Sequence, residues 1–433
     1  MTTPLAVFWF RRDLRLDDNA GLSHALASGR PVLPIFIFDP AILAGLPQND
    51  ARVTFIHDTL QALRTELEVK HASSLALYHG KPLEVFAQIL RSHSIAAVYT
   101  NHDYEPYARE RDEAVRQWLE AQRVAFRTYK DHVLFEKDEI SKDGGGAYTV
   151  YTPYMRKWRK VHSQTTLTPY ATAAKLTNLI KQAALPDVSL ADIGFTRAAM
   201  TIPAYRLEHD MLQHYARDRD FPALAATSLL GPHLRFGTVS VRQIFQHAFS
   251  RSDIFCNELI WREFFSQILW HFPHTPQRSF KPQYDRIQWR NDAAEFQRWC
   301  EGTTGYPLVD AGMRQLNATG TMHNRVRMVT ASFLCKHLLI DWRWGEAYFA
   351  QKLLDYEMAS NVGNWQWVAG CGVDAAPYFR IFNPSAQTEK FDKQFAYIQT
   401  WVSDWHTLNY PAPVVDHTFA RERCLQAYQQ AVG

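Results

Sequence analysis

The sequence predicts an α/β N-terminal domain, built on a doubly wound parallel sheet, followed by an all-α C-terminal domain. Three observations carry this reading. Apolar strand-like runs alternate with helical patterns over the first 130 residues. Strand-like runs almost vanish after about residue 201. The 433 residues exceed one ordinary domain and suit two.

The strand-like runs come first. AVFWF, PVLPIFIF, SLALYHG, AAVYTNH and AFRTYK are short, apolar and rich in β-branched or aromatic residues. Helical patterns over roughly 20–28, 51–68, 82–93 and 107–122 separate them. Such alternation makes a parallel sheet covered on both faces, with ligands expected at the carboxyl ends of its strands. The segment after the first run, FRRDLRLDDNA, lacks the GxGxxG fingerprint, so a standard dinucleotide site is not expected there. This domain is assigned to residues 1–130. Residues 131–200 include the loop-like DGGGAYTVYTPY and ALPDVSLADIGF and read as an interdomain connector. Residues 201–433 form the helical domain, with periodic segments at 205–219, 240–250, 253–271, 292–301, 307–317, 323–339, 343–356 and 391–403.

Composition narrows the class. Apolar residues make up 46% and charged residues 21%, enough for a sizeable core. No run approaches the roughly 20 apolar residues of a membrane helix. The N-terminus, MTTPLAVFWFRRDLRLDD, reads as a strand rather than a signal peptide, and a cytoplasmic protein is expected. Cys256, Cys300, Cys335, Cys371 and Cys424 are far apart and form no CxxC pair, so neither a disulfide framework nor a metal site is expected. The net charge of +3 is too small to identify a polyanion partner; a local basic patch would matter more. Of the 13 tryptophans, most lie between Trp261 and Trp405; they fit a helical core, base stacking or a redox path.

Four segments can carry chemistry. In CNELIWREFFSQILW, Glu258, Trp261 and Arg262 share one helical face. That face is either an ion pair beside a packed indole or a cavity wall with an acceptor, a stacking plane and a cation. In TMHNRVRMVTASFL, Asn324 and Met328 share a face, as on an amphipathic helix or a half-polar pocket wall. In SNVGNWQWVAGCGVDAAPYFRIFNP, Asn361 and Trp365 are one turn apart, while Trp365 and Trp367 diverge by about 200°. Arg380 and Lys390 follow and could meet phosphates. In TSLLGPHLRFGTVS, Thr227 and Ser228 offer hydroxyls and backbone N–H groups near a helix start, a possible phosphate cradle.

Together, FWFRRDLRLDDNAGL, NELIWREFF, TGYPLVDAGMRQLNATGTMHNRVRMVTASFL, DWRWGEAYF and NWQWVAGCGVDAAPYFRIFNP resemble the photolyase/cryptochrome family. The resemblance spans almost the whole chain and is closest to the class I enzymes for cyclobutane pyrimidine dimers. It implies a light-driven DNA repair enzyme with FAD in the helical domain, active when reduced. It also implies an antenna domain at the N-terminus and a pocket for a flipped-out dimer. Asn361 stands at the position facing flavin N5. Glu258 stands where it would bond base edges, and Trp261, Asn324, Met328 and Trp367 where they would line the dimer pocket. His323 is expected one residue off that face, about 100° around the helix. Trp365, Trp342 and Trp289 match an electron-transfer triad.

Tyr215, Thr227, Ser228, Arg262, Arg327, Asp355, Glu357 and Asn361 match FAD-binding positions, with Arg327 and Asp355 expected as a buried ion pair. Arg219, Arg325, Arg380 and Lys390 match DNA-phosphate positions. The protein is expected to act as a monomer on dimer-containing DNA. Some residues depart from the family pattern. TSLLGP puts Leu229 and Gly231 where an arginine and a serine are usual. Phe255 and Thr321 replace tryptophans. Ala108 aligns with a glutamate that holds a folate antenna; a deazaflavin, a second flavin or no antenna are all compatible. A blue-light receptor of the cryptochrome kind is the rival reading, disfavoured by Asn361 and the complete pocket set.

Overall fold

The computed structural model describes residues 3–182 and 184–432. It divides into two compact units. One comprises residues 1–140, 158–205 and 229–250; the other comprises 141–157, 206–228 and 251–433.

The first unit holds the sheet. Strands β1 (Leu5–Phe10), β2 (Val32–Phe38), β3 (Ala76–His79), β4 (Ile95–Asn101) and β5 (Ala125–Tyr129) lie in the order β3-β2-β1-β4-β5. All four pairings are parallel; Phe8, for example, lies between Pro34 and Tyr99. The crossovers carry helices α1 (Ala20–Leu26), α2 (Ala51–His71), α3 (Pro82–Ser92) and α4 (Pro106–Ala121), within three residues of the expected bounds. β1 is central, and its alternate residues serve two cores. Ala6, Phe8 and Phe10 join one; Val7 and Trp9 join the other. This two-sided burial explains the unbroken apolar run. Strand order reverses beside β1 and β4. There the loop after β1 is filled by charge: Arg11 Nη1 donates to both Asp112 carboxylate oxygens at 2.5 and 2.7 Å.

The second unit is helical, with no strand among its described residues. Its principal helices are α5 (His209–Asp218), α6 (Asp253–His271), α7 (Ala293–Glu301), α8 (Pro307–Thr319), α9 (Asn324–Ser332), α10 (Trp342–Lys352), α11 (Met358–Ala369), α12 (Pro384–Phe391), α13 (Ala396–Trp401) and α14 (His417–Val432). Trp299, Trp342, Trp365, Phe333 and Tyr428 are among the large side chains of its core. A buried amine also lies there. Lys336 Nζ donates to the Ala369 and Tyr378 carbonyls, both at 3.2 Å, and sits 3.7 Å from the Tyr428 ring centroid. No helix among the described residues is long and apolar enough to cross a membrane. All five cysteines are free and buried.

Some expected elements differ. The helix expected over 323–339 is α9 followed by a π-helical turn, Phe333–His337. The helix expected over 391–403 is broken into α12 and α13. The Asp392 carboxylate accepts from the Tyr397 and Ile398 N–H groups, both at 3.0 Å, and Phe395 adopts φ 55°. Of the stretch read as a connector, residues 131–140 and 158–200 belong to the first unit and 141–157 to the second. It contains a helix, Tyr151–Ser163, that the reading overlooked. Tyr151, Tyr154 and Trp158 recur there at helical spacing, directly after the glycines that suggested a loop.

Candidate functional site

Two packed helices form the frame of the site. The Ser252 hydroxyl caps α6 by accepting from the Phe255 N–H. α6 then carries Glu258, Trp261 and Arg262 on one flank. α11 packs against it, and Gly363 permits the close approach: a Cβ there would stand 2.2 Å from Phe265 Cδ1. α11 carries Asn361 and Trp365, both buried, and the half-buried Trp367. The two indoles differ in burial because two residues along a helix turn it through about 200°.

A charged network joins α6 to α9. Arg219, which ends α5, pairs with Glu258. Its neighbour Asp220 accepts from Arg325 Nη2 at 2.8 Å. The two consecutive residues thus tie Glu258 on α6 to Arg325 on α9. Arg325 also lies 4.3 Å from the Phe391 ring centroid and 3.9 Å from Met328 Sδ. Burial opposes the Arg219 charge, but the adjacent Glu258 carboxylate outweighs it and raises the pKa. Tyr215 lies beneath Arg219, and burial, helped by the Glu258 charge, pushes its phenol up to about 12. Asp220 went unnoticed in the sequence; its only signal was adjacency to Arg219.

Asn324 is exposed in the first turn of α9, and Met328 is half-buried one turn on. His323 is not on the helix face expected for it. It is the N-cap, with φ −59° and ψ 136°, and its Nδ1 accepts from the Arg325 N–H at 3.2 Å. Burial pushes its imidazole down to about 4.

A second set of pairs lies around α11. Arg262 Nη2 meets Glu357 Oε1 at 2.9 Å, and Arg327 Nη2 meets Asp355 Oδ2 at 2.9 Å. Arg327 Nε also donates to the Met322 carbonyl at 2.8 Å. The Arg327–Asp355 pair is only partly buried, not buried as expected, with side chains 28% and 23% exposed; Asp355 lies in the segment between α10 and α11. Asp355 Oδ1 is shielded from water and has no hydrogen-bond partner. It is an acceptor that a ligand N–H or hydroxyl would satisfy. Asn361 Nδ2 donates to Glu346 Oε1 at 2.9 Å and to the Glu346 carbonyl at 3.2 Å. Burial holds the Glu346 carboxyl above its ordinary range. Sequence reasoning missed Glu346, since nothing local links it to Asn361. Thr227 and Ser228 are half-buried, and Arg206 bonds their carbonyls at 3.1 and 2.8 Å.

The three tryptophans of the expected relay lie on neighbouring segments. Gly345 on α10 abuts the Trp365 indole so closely that a Cβ would stand 2.1 Å from Cη2. Trp342 lies one turn earlier on α10, fully buried. The 290–291 segment bonds to the chain just before it: the Arg290 N–H donates to the Leu339 carbonyl and Asn291 Oδ1 accepts from the Asp341 N–H. That brings half-buried Trp289 to the start of α10. Trp365 also meets Trp299 and Phe349, with ring centroids 6.2 and 5.0 Å away. Arg380 and Lys390 are exposed, near the rings of Phe382 and Phe391. Carboxylates, amides and guanidinium groups beside flat indoles suit a planar, hydrogen-bonding ligand.

Residues 255–409 match the family model described as the FAD binding domain of DNA photolyase, and residues 6–174 match DNA photolyase. The deoxyribodipyrimidine photo-lyase of Agrobacterium fabrum is 38% identical, over 99% of this chain and 98% of its own length. A crystal structure of a bacterial class III photolyase from Agrobacterium tumefaciens superposes with a TM-score of 0.88 at 35% identity, covering 100% of this chain and 98% of that one. An archaeal photolyase from Sulfolobus tokodaii, solved with two FAD molecules, gives 0.81 at 34% identity, covering 98% and 99%.

Proposed function

Because the chain belongs to the DNA photolyase family, we propose that it repairs cyclobutane pyrimidine dimers in DNA by light, with FAD as its cofactor. One observation carries the site assignment. The helix bearing Glu258 and Trp261 is locked, through Gly363 and Phe265, against the helix bearing Asn361, Trp365 and Trp367.

Arg262, Arg327, Asp355, Glu357, Tyr215, Thr227, Ser228 and Asn361 hold FAD in this reading. The unpartnered Asp355 Oδ1 supports the fit, since a flavin brings both an imide N–H and ribityl hydroxyls. When bound, FAD supplies the light-driven one-electron chemistry. The protein's own residues bind, orient and exclude water. Trp261 and Trp367 stack on the extruded bases, worth about 1–3 kcal/mol per base. Glu258 accepts from base edges, and Asn324 and Met328 complete the pocket. Asn361 offers an amide whose orientation is fixed by Glu346. Arg219, Arg325, Arg380 and Lys390 meet the phosphates, and this local charge offsets the small net charge. Trp365, Trp342 and Trp289 relay electrons inward from the surface. The protein acts as a monomer in the cytoplasm.

The test is illumination of reduced protein with dimer-containing oligothymidylate. Recovery of thymine absorbance is the expected result. Flavin photoreduction without recovery would instead indicate a light receptor.

A further inference from the structure

Tyr151 lies in the glycine-rich stretch that reads as a loop, and none of the site assignments includes it. Its ring stacks on Trp261 with centroids 3.6 Å apart and planes 7° apart. This is a tighter and flatter contact than Trp261 makes with Phe265, at 5.5 Å and 29°. The Tyr151 hydroxyl donates to the Asn257 carbonyl at 3.0 Å, and its N–H donates to Asp374 Oδ2 at 3.1 Å. The ring is therefore held by the indole plane and by the backbone of α6 one turn earlier, while the Tyr151 backbone is tied to the chain beyond α11. It also meets Phe264 edge-on at 5.9 Å.

The side of the indole that Tyr151 covers follows from helix geometry. At about 100° per residue, Asn257 and Phe264 flank Trp261 on one side of α6, and Glu258, Arg262 and Phe265 flank it on the other. Tyr151 contacts Asn257 and Phe264. It therefore lies on the flank away from Glu258 and Arg262. The geometry points to Tyr151 as a positioning residue for dimer recognition: it stacks on Trp261 from the flank away from Glu258 and fixes the orientation of the indole before a base arrives. An indole fixed before binding loses less rotamer freedom when a base stacks on it. Specificity for the dimer is thereby set partly outside the helices that carry the pocket. This inference rests on the proposed stacking role of Trp261.

A double-mutant cycle on the flavin-loaded protein tests it. Affinities for dimer-containing and undamaged oligothymidylate are measured for Trp261→Ala, Tyr151→Ala, Tyr151→Phe and the double alanine variant. Tyr151→Ala should weaken dimer binding about three- to tenfold, the range of one lost aromatic pair, and leave binding to undamaged DNA unchanged. It should raise KM without changing the repair yield of bound dimer, and flavin content should stay at the wild-type level. Tyr151→Phe, which keeps the ring, should restore dimer affinity. In the Trp261→Ala background Tyr151→Ala should have no further effect. Fully additive losses, or a Tyr151→Ala protein that discriminates as well as wild type while Trp261→Ala does not, overturn the inference. Unaltered dimer affinity in Trp261→Ala overturns the stacking role itself. If Tyr151→Ala does not fold, Tyr151→Leu takes its place in the same cycle, since it fills the volume without a flat face.

Discussion

Asn361 donates its side-chain amide to Glu346, and the carboxylate and the backbone carbonyl of that one residue both accept from it. Glu346 is buried enough for its carboxyl to titrate above the ordinary range. Asn361→Asp would replace the donor with a second carboxylate and leave Glu346 without that bond. We predict a loss of about 1–3 kcal/mol in stability, the cost of a buried acceptor deprived of its donor. Thermal unfolding followed by flavin release measures it; an unchanged midpoint would rule the contact out as a stabilising one.

Gly345→Ala should disturb electron transfer more than repair. The added methyl would fall 2.1 Å from Trp365 Cη2 and 2.6 Å from Leu334 Cδ2, so the indole must move. Overpacking of this kind costs about 1–3 kcal/mol. Photoreduction of oxidised flavin should slow, while repair by chemically reduced enzyme should persist. Transient absorption on the two states separates these outcomes.

Trp289→Phe tests the far end of the same route. Trp289 is half-buried and has no assigned contact with substrate. Photoreduction should fall and pre-reduced repair should stay near wild type. Equal losses in both would exclude Trp289 from the relay.

Arg325→Ala should weaken DNA binding for damaged and undamaged strands alike, and make the logarithmic salt slope shallower by about 1. The ion pair with Asp220 is part of the prediction. Removing the guanidinium exposes an unpaired carboxylate to the DNA, so the loss should exceed that for Lys390→Ala. Titrations at several salt concentrations give both numbers.

Acid should destabilise the protein through two histidines. Burial holds His323 at about 4 and His337 at about 3, against an ordinary 6.5. Below about pH 6.5 the unfolded chain takes up protons that the folded protein refuses. The stability these histidines contribute is therefore complete above that pH and is lost as pH falls toward 3. His337→Gln, which can still reach the His417 ring nitrogen now 2.8 Å away, should flatten the decline. Denaturant titrations between pH 4 and 7 give the two curves, and parallel curves would count against His337.

Residue patterns in the sequence revealed the sheet and most helices, and they did so for identifiable reasons. β1 is buried on both sides, so its apolar run is continuous; α6 is long and mostly buried, and a serine cap and a histidine mark its two ends. α14 escaped because its buried positions, Ala420, Cys424, Tyr428 and Ala431, are mostly small or polar in type and give a weak apolar stripe. In the site, the residues placed by motif were legible, while their partners were not. Asp220, Arg206, Glu346 and Tyr151 act across the fold, and no spacing rule links them to Arg325, Ser228, Asn361 or Trp261. His323 was misplaced because helical spacing was extended one residue past the true start of α9.

The missing side chain at Gly363 has a wider consequence. With Phe265 seated in the gap, α6 and α11 interlock in a single register and cannot slide past each other. Their shared surface is therefore organised when the chain folds, and a guest molecule meets stiff walls rather than walls it must assemble. Larger residues at position 363 should thus lower affinity for every occupant of the recess at once, whatever its chemistry, by loosening the frame rather than by removing any contact.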